Sequence, residues 1–424
     1  MDTVMYWIGV LLFGIVSARH DAYDGYALFS AKVNDVSQAI IFNSLADKLN
    51  LDIWVHSSPG RDGIVLVSKN LKQLFQNELY AAGIKHEIEV ENIKEMLDLE
   101  DKLLMETYHK RNNKTDLPFN KIYTYSEVDD YLERLAKTYP DVVNLVNAGK
   151  SFEGRDIKYV KISSTKFQDP KKPVIFMQSL LHAREWITLP VTLYAIHKLV
   201  VDVTDDPMAQ DVDWIILPVA NPDGYEYSHK QFRFWRKNRS TGNICVGVDL
   251  NRNYDINWGV TSSKMPCSET YHGRSPFSEP ETTITKEIFA QNGARIKLFL
   301  DIHSFGSMIL YGYGTGELPP DVATINSLGV KMAKAIDDVK LKFNPNYTVG
   351  NVAEVLYLAS GSAQDFAQNV GVPFSYTIEL PGYRYGLGSV FGFLVDPNFV
   401  EQAGMETWEA VKIGAGFVLD NLNK

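Results

Sequence analysis

Residues 173–186 read PVIFMQSLLHAREW. The first half is a nearly continuous apolar run of strand length, the pattern of a strand covered on both faces of a sheet. The second half turns abruptly polar, with His182, Arg184 and Glu185 inside five residues. The same texture recurs along the chain. IKYVKIS (157–163), DWIILPV (213–219), KLFLDIH (297–303) and FSYTIEL (374–380) read as further strands. They alternate with helical stretches at 126–140, 189–201, 279–293, 325–340 and 399–422. Alternation of this kind predicts an α/β domain, a three-layer arrangement over residues 115–424.

Open α/β sheets place their sites outside the carboxyl ends of the strands, and four polar segments fall there. His182 and Glu185, three apart on a helical turn, project to one side and can share a metal. His303, after KLFLDI, supplies a third donor. Zinc accepts neutral imidazole and carboxylate, and catalytic zinc takes three protein ligands plus water. Asp249, in GVDLNRNY (247–254), is placed to orient a metal-bound imidazole. Asn251 and Arg252 can hold a carboxylate, the arginine through its planar fork. Glu379 interrupts an apolar strand end, where burial raises a carboxyl pKa and suits it to general-base work. Taken singly, each segment reads equally as ordinary structure: an HxxE, a turn with a surface cation, a half-exposed strand end.

Upstream, residues 22–92 predict a smaller unit. AYDGYALFSAKV, DIWVHS, GIVLVS and IKHEIEV read as strands, and VSQAIIFNSLADKL and LKQLFQNELYAAG as helices. Asn34 or Asp35 can cap the first helix, and Gly83 ends the second. The order β-α-β-β-α-β is that of a ferredoxin-like α+β open sandwich. A polar helix spans 91–111, acidic early and basic late, as the helix macrodipole favours. The following HKRNNKTD (109–116) lacks core residues and reads as an exposed linker, where proteolysis concentrates. Lys110, Arg111 and Lys114 suit a trypsin-like protease. At the N-terminus, Val4 to Val16 is an apolar run too short to span a bilayer, and Val16-Ser17-Ala18 is a small-residue cleavage pattern, although Asp2 replaces the usual positive charge. The expected organisation is a signal peptide at 1–18, an activation pro-segment at 19–114 and an enzyme at 115–424.

Composition excludes several classes. The 424 residues are 45% hydrophobic and 22% charged, which is globular rather than disordered. The net charge of −10 lacks the basic face that a nucleic-acid binder needs. Two cysteines in a chain this long are not a disulfide scaffold. In a secreted chain Cys245 and Cys267 are expected to be oxidised, closing a loop worth about 3 kcal/mol in the chain-entropy account; two buried thiols are the alternative. Sequons stand at Asn113, Asn238 and Asn346. No later stretch is apolar enough to be a transmembrane helix.

HAREW (182–186), NPDGY (221–225), WRKNRS (235–240), CVGVDLNRN (245–253), CSETYHGR (267–274), DIHSFG (301–306), LYLASG (356–361) and TIEL (377–380) occur in this order. In that order the chain resembles the secreted zinc metallocarboxypeptidases of the pancreatic A/B type, and gut zymogens of insects in particular, from about residue 22 onward. The resemblance implies a carboxypeptidase-like three-layer mixed sheet behind the pro-domain and one zinc ion per chain. It implies zinc on His182, Glu185 and His303, Glu379 as general base, Arg236 as the carbonyl-polarising arginine and Asp249 behind the first histidine. Asn251, Arg252 and Tyr357 are similar to the family's clamp for a substrate's terminal carboxylate, Arg184 to an outer-subsite arginine, with Ser304 and Phe305 as further substrate-binding positions. Cys245 and Cys267 match its disulfide. Peptide C-termini are the implied substrates, with a trypsin-like protease as activator, no nucleic-acid or membrane partner, a monomeric state and a digestive lumen as the location.

Specificity departs from the family. The pocket for the terminal side chain is implied to be lined by Val352, Leu356, Ala359, Ser362, Ala363, Gln364 and Thr377. Where A-type enzymes carry an apolar residue and B-type enzymes an aspartate, this chain has Gln364. Without a carboxylate there is no ion pair for Lys or Arg. An unsatisfied amide costs about 1–3 kcal/mol, unless water or Ser362 pairs with it. Neutral terminal residues are therefore expected. B-type preference, hydrolysis of small N-acyl amino acids and a non-catalytic binding homologue are the alternatives.

Overall fold

The computed structural model describes residues 19–109, 121–203, 206–242, 244–382 and 392–422. The expected signal peptide, the expected cleavage residues Lys110, Arg111 and Lys114, and the Asn113 sequon lie outside these. The chain divides into two compact units, one of 1–112 with 230–233 and 383–396, the other of the remainder.

The first unit carries β1 (Ala27–Lys32), β2 (Asp52–Val55), β3 (Gly63–Val67) and β4 (Lys85–Val90) in an antiparallel sheet ordered β2-β3-β1-β4. Helices Val36–Leu49 and Lys72–Ala81 complete the expected β-α-β-β-α-β order. Asp35 caps the first, its Oδ1 accepting the Gln38 N–H at 2.8 Å. Gly83 follows the second in the left-handed region, φ 66°, as a helix stop there requires. Phe29, Phe42 and Phe75 fill the core between sheet and helices, Phe29 and Phe75 edge to face at 5.3 Å. The polar helix is Ile93–His109, and two of its acidic residues are buried. Asp101 accepts Arg19 Nη1 at 3.0 Å and pairs with His20 Nε2 at 2.9 Å. Glu100 accepts Arg233 Nε at 2.7 Å and Nη2 at 3.0 Å, and the Val395 N–H at 2.7 Å.

The second unit is built on β5 (Val143–Lys150), β6 (Asp156–Ile162), β7 (Val174–Ser179), β8 (Asp213–Leu217), β9 (Ile296–Ser304), β10 (Met308–Tyr311), β11 (Thr348–Asn351) and β12 (Phe374–Leu380). These form one sheet ordered β11-β10-β12-β9-β7-β8-β6-β5. The centre, β12-β9-β7-β8, is parallel, and antiparallel pairs flank it. Helices Pro280–Asn292 and Ala363–Asn369 share one core with Phe176 and Phe299. Thr188–Val200, Val322–Asp337 and Val400–Leu422 pack together in a second helical layer. The arrangement is the expected three-layer mixed sheet. Every residue of β7 and β8 is buried, which explains their nearly continuous apolar sequence, broken only by Gln178 and Ser179 at the end of β7 and Asp213 at the start of β8.

Three strands escape the sequence reading. Val143–Lys150 is an edge strand with an irregularity at Asn147/Gly149 that breaks its alternation. Met308–Tyr311 and Thr348–Asn351 are four residues each, too short for periodicity to register.

Candidate active site

The order β12-β9-β7 brings three parallel carboxyl ends side by side. Chain register then decides which side chains meet. Glu379 on β12 pairs with His303 on β9, and Asp301 on β9 pairs with Gln178 on β7. His182 and Glu185 follow β7 on a tight turn, not on the helical turn expected from sequence; the Glu185 N–H reaches the His182 carbonyl at 3.3 Å, and the helix begins only at Thr188. Leu180, at φ 56°, redirects the chain into that turn. The Ala183 N–H donates to the Arg236 carbonyl at 3.0 Å, fastening the turn to the arginine segment.

His182, Glu185 and His303 are buried together, their donor atoms within 4.8 Å of one another. Glu185 Oε1 lies 2.7 Å from His182 Nδ1, and Oε2 lies 2.9 Å from His303 Nδ1. The two Nδ1 atoms face each other at 3.1 Å. On the far side of each ring, Nε2 meets a carboxylate: Asp249 Oδ1 at 3.1 Å from His182, and Asp301 Oδ2 at 2.9 Å from His303. An ionised carboxylate only accepts, so it keeps the imidazole proton on Nε2 and leaves Nδ1 a lone pair. Two lone pairs and a carboxylate aimed at one point form a donor set that a divalent cation satisfies. Two imidazoles and one carboxylate match catalytic zinc. Burial pushes the Glu185 carboxyl up, but the imidazoles beside it more than offset this and hold it below the usual range.

Asp249 serves three partners, one of them the Asn251 N–H on Oδ1 at 3.0 Å. Its Oδ2 accepts Arg236 Nε at 3.2 Å and Nη2 at 3.0 Å while Oδ1 holds His182. Burial works against its ionisation, yet Arg236, Arg252 and His182 keep it well below the ordinary aspartate value. Asp301 is fully buried and takes Gln178 Nε2 at 3.0 Å on its other oxygen. Sequence reasoning passed over Asp301 and Gln178. The signal was present, since Asp301 and His303 are two apart on a strand and therefore share a face.

Glu379 stands at the end of β12 beside this group and is partly exposed. Burial of its carboxyl, and the like charge of Glu185, raise its pKa to about 7 against the opposing pull of His303 and Arg236.

Asn251, Arg252 and Tyr357 also converge. Arg252 Nη2 donates to Tyr357 Oη at 3.0 Å, and Nη1 to the Asn251 carbonyl at 2.6 Å. Asn251 Oδ1 accepts the Ala363 N–H at 2.9 Å, which turns Nδ2 toward His303 Nε2 at 3.4 Å. Gly361, at φ 72°, lies against this segment; a Cβ there would meet the Arg252 carbonyl oxygen at 2.4 Å. Ser304 sends its N–H to Glu185 Oε2 at 3.2 Å, and Phe305 next to it is half-buried. Arg184 is buried, Nη1 3.4 Å from the Phe234 carbonyl.

Gln364 is buried, and its amide pairs with Asp365 rather than with Ser362. Nε2 donates to Asp365 Oδ1 at 2.9 Å, while the Gly314 N–H occupies Oδ2 at 2.8 Å. Ser362 instead caps the helix Ala363–Asn369 through the Asp365 N–H. Burial raises the Asp365 pKa to about 6. Of the other implied lining residues, Val352, Ala359, Ala363 and Thr377 are buried and Leu356 is half-buried. Cys245 and Cys267 are disulfide-bonded, Cα–Cα 5.1 Å.

Residues 128–410 match the zinc carboxypeptidase family, and residues 29–100 match the carboxypeptidase activation peptide. A carboxypeptidase B of Helicoverpa zea is 42% identical over 95% of this chain and 96% of its own. Carboxypeptidase A1 of Bos taurus is 30% identical over 97% and 98%. The crystal structure of carboxypeptidase A from Helicoverpa armigera superposes with a TM-score of 0.92 at 54% identity, covering 93% of this chain and 98% of that one. With its metal-binding group buried and complete, this chain belongs to the zinc carboxypeptidases and is a metallocarboxypeptidase zymogen that carries its activation peptide ahead of the enzyme.

Proposed function

We propose that the chain is a secreted digestive zymogen: a signal peptide at 1–18, a pro-segment at 19–114 cut at Lys110, Arg111 or Lys114 by a trypsin-like protease, and a monomeric enzyme at 115–424 that removes single neutral residues from peptide C-termini. The observation that carries this reading is the position of the Arg252–Tyr357 pair, joined through Asn251 to the same His303 that faces Glu379 across the sheet.

Zinc held by His182, Glu185 and His303 would supply Lewis acidity that makes water nucleophilic near neutral pH. Glu379 takes the water's proton and later returns it to the leaving amine, work for which a pKa near 7 is suited. Arg236, kept cationic and oriented by Asp249, faces the charge that develops on the scissile carbonyl oxygen. Arg252, Asn251 and Tyr357 hold the terminal carboxylate, so only a chain end aligns with Glu379. Arg184, Ser304 and Phe305 serve residues further along the substrate.

Preference for neutral side chains is supported by Gln364 and Asp365. Asp365 already accepts the Gly314 N–H and Gln364 Nε2, and burial raises its pKa to about 6, which makes it a weaker partner for a substrate cation than a free carboxylate. The 42% identity to a protein named carboxypeptidase B favours a second reading, basic specificity. A scan of peptides differing only in the last residue, on trypsin-treated protein, separates the two. Release of Phe, Leu or Gln well ahead of Arg is expected; Arg released fastest would replace the first reading with the second.

A further inference from the structure

We propose that Asp301 is a positioning residue for the zinc carboxypeptidase site, fixing His303 as an Nδ1 donor and strengthening its hold on the metal. The proposal rests on zinc being held by His182, Glu185 and His303.

Asp301 and His303 alternate onto one face of β9, and Asp301 Oδ2 approaches His303 Nε2 at 2.9 Å. The carboxylate is itself held in place. Gln178, its register partner on β7, donates to Oδ1 at 3.0 Å, and Thr285 Oγ1 lies 3.3 Å from both Gln178 Oε1 and the Glu281 carbonyl. Thr285, Gln178, Asp301 and His303 thus form one buried line from a helix of the outer layer to the metal group.

A competing contact exists at the same ring nitrogen. Asn251 Nδ2 lies 3.4 Å from His303 Nε2, and as a donor it would favour an unprotonated Nε2. Asp301 wins on distance and on charge, because a hydrogen bond to an ionised acceptor is roughly twice as strong as one between neutral groups. The proton therefore stays on Nε2 and the Nδ1 lone pair faces Glu185 and His182.

Asp301 also differs from Asp249, the carboxylate behind His182. Arg236 shares Asp249 and neutralises much of its charge, whereas the polar partner of Asp301 across the strand is an uncharged amide. Its charge therefore acts on His303, making that imidazole the more electron-rich donor of the pair. Removing such outer carboxylates typically costs 10–100-fold in metal affinity.

The test uses the full-length chain. Zinc affinity, measured by chelator competition, is expected to fall 10–100-fold in Asp301→Asn, with one zinc still bound per chain at saturation. Equal affinity in Asp301→Asn and the unmodified protein would overturn the proposal. Absence of stoichiometric zinc in the unmodified protein would instead overturn the ligand assignment beneath it. Gln178→Leu, which leaves Asp301 in place without its anchor, is expected to lose less. A second measurement needs no variant: with nine histidines in the chain, 15N-histidine spectra of the zinc-loaded protein resolve ring tautomers. A proton on His303 Nε2 is expected, and one on Nδ1 would contradict the proposal.

Discussion

Glu379 and His303 are register partners on adjacent parallel strands, β12 and β9. Backbone pairing, rather than a flexible loop, thus fixes the spacing between the proposed general base and one donor of the metal group. A one-residue slip of β12 would turn Glu379 to the opposite face. Precision of this kind is what general-base catalysis needs, since the proton must lie within hydrogen-bond reach of its acceptor.

Replacing Glu379 by Gln keeps the shape and removes the base. Turnover is expected to fall by about 10²–10⁴, with zinc content unchanged. Because burial raises the Glu379 pKa to about 7, kcat/KM of the unmodified enzyme should decline as pH falls through 7, or somewhat lower once a metal cation stands nearby. Steady-state rates across pH 5–9, alongside metal analysis of both proteins, check this.

Glu281 predicts a loss of stability as pH rises from mild acid to about 8. It is buried beside Glu279 and Asn238, and burial, with the repulsion of Glu279 and Asp223, raises its pKa to about 8 against the opposing hydrogen bonds. The folded state holds this proton more tightly than the unfolded chain. Its contribution is therefore complete below the unfolded carboxyl value and is lost as pH rises through about 8. Glu281→Gln should flatten the decline between about pH 5 and 8. Denaturation midpoints for both proteins across that range measure it, and parallel curves would refute the assignment.

Most of the molecule was legible because the signal was repetitive. Five strands and the helices between them announced themselves by apolar runs, and the motif order pointed to the metal group His182, Glu185 and His303. What stayed hidden depended on pairings between distant segments. Asp301 anchored by Gln178, and Asp249 shared by Arg236 and His182, arise only when separate strands and loops meet. Short or irregular strands such as Met308–Tyr311 carry too few residues to show a period.

Glu100 and Arg233 are both fully buried and form a two-point ion pair, joining residues on opposite sides of the proposed activation cut. Breaking one partner of a buried pair costs about 3–5 kcal/mol. After tryptic cleavage the excised segment should co-elute with the enzyme, and Glu100→Ala should release it at least about tenfold faster. Size-exclusion chromatography after timed cleavage reads this directly; identical release would show the pair to be dispensable.

Asn238 cannot serve as a glycan acceptor in the folded chain. It is buried, its Nδ2 donates to Glu279 and Glu281, and its Oδ1 accepts the Val248 N–H. Asn346 is exposed, two residues before the edge strand β11. In a secretory host, intact mass should fall on Asn346→Gln and stay unchanged on Asn238→Gln in protein that still folds.

Whether the chain is a zinc exopeptidase that recognises a terminal carboxylate is decided by one mass-spectrometric comparison. Trypsin-treated protein is offered the same peptide as free acid and as C-terminal amide, with and without a zinc chelator. The account predicts stepwise loss of single C-terminal residues from the acid, little from the amide, and none with chelator; Arg252→Ala narrows the gap by slowing the acid about 10–150-fold, the worth of a charged hydrogen bond. Equal cleavage of acid and amide, internal cuts or indifference to the chelator would contradict it.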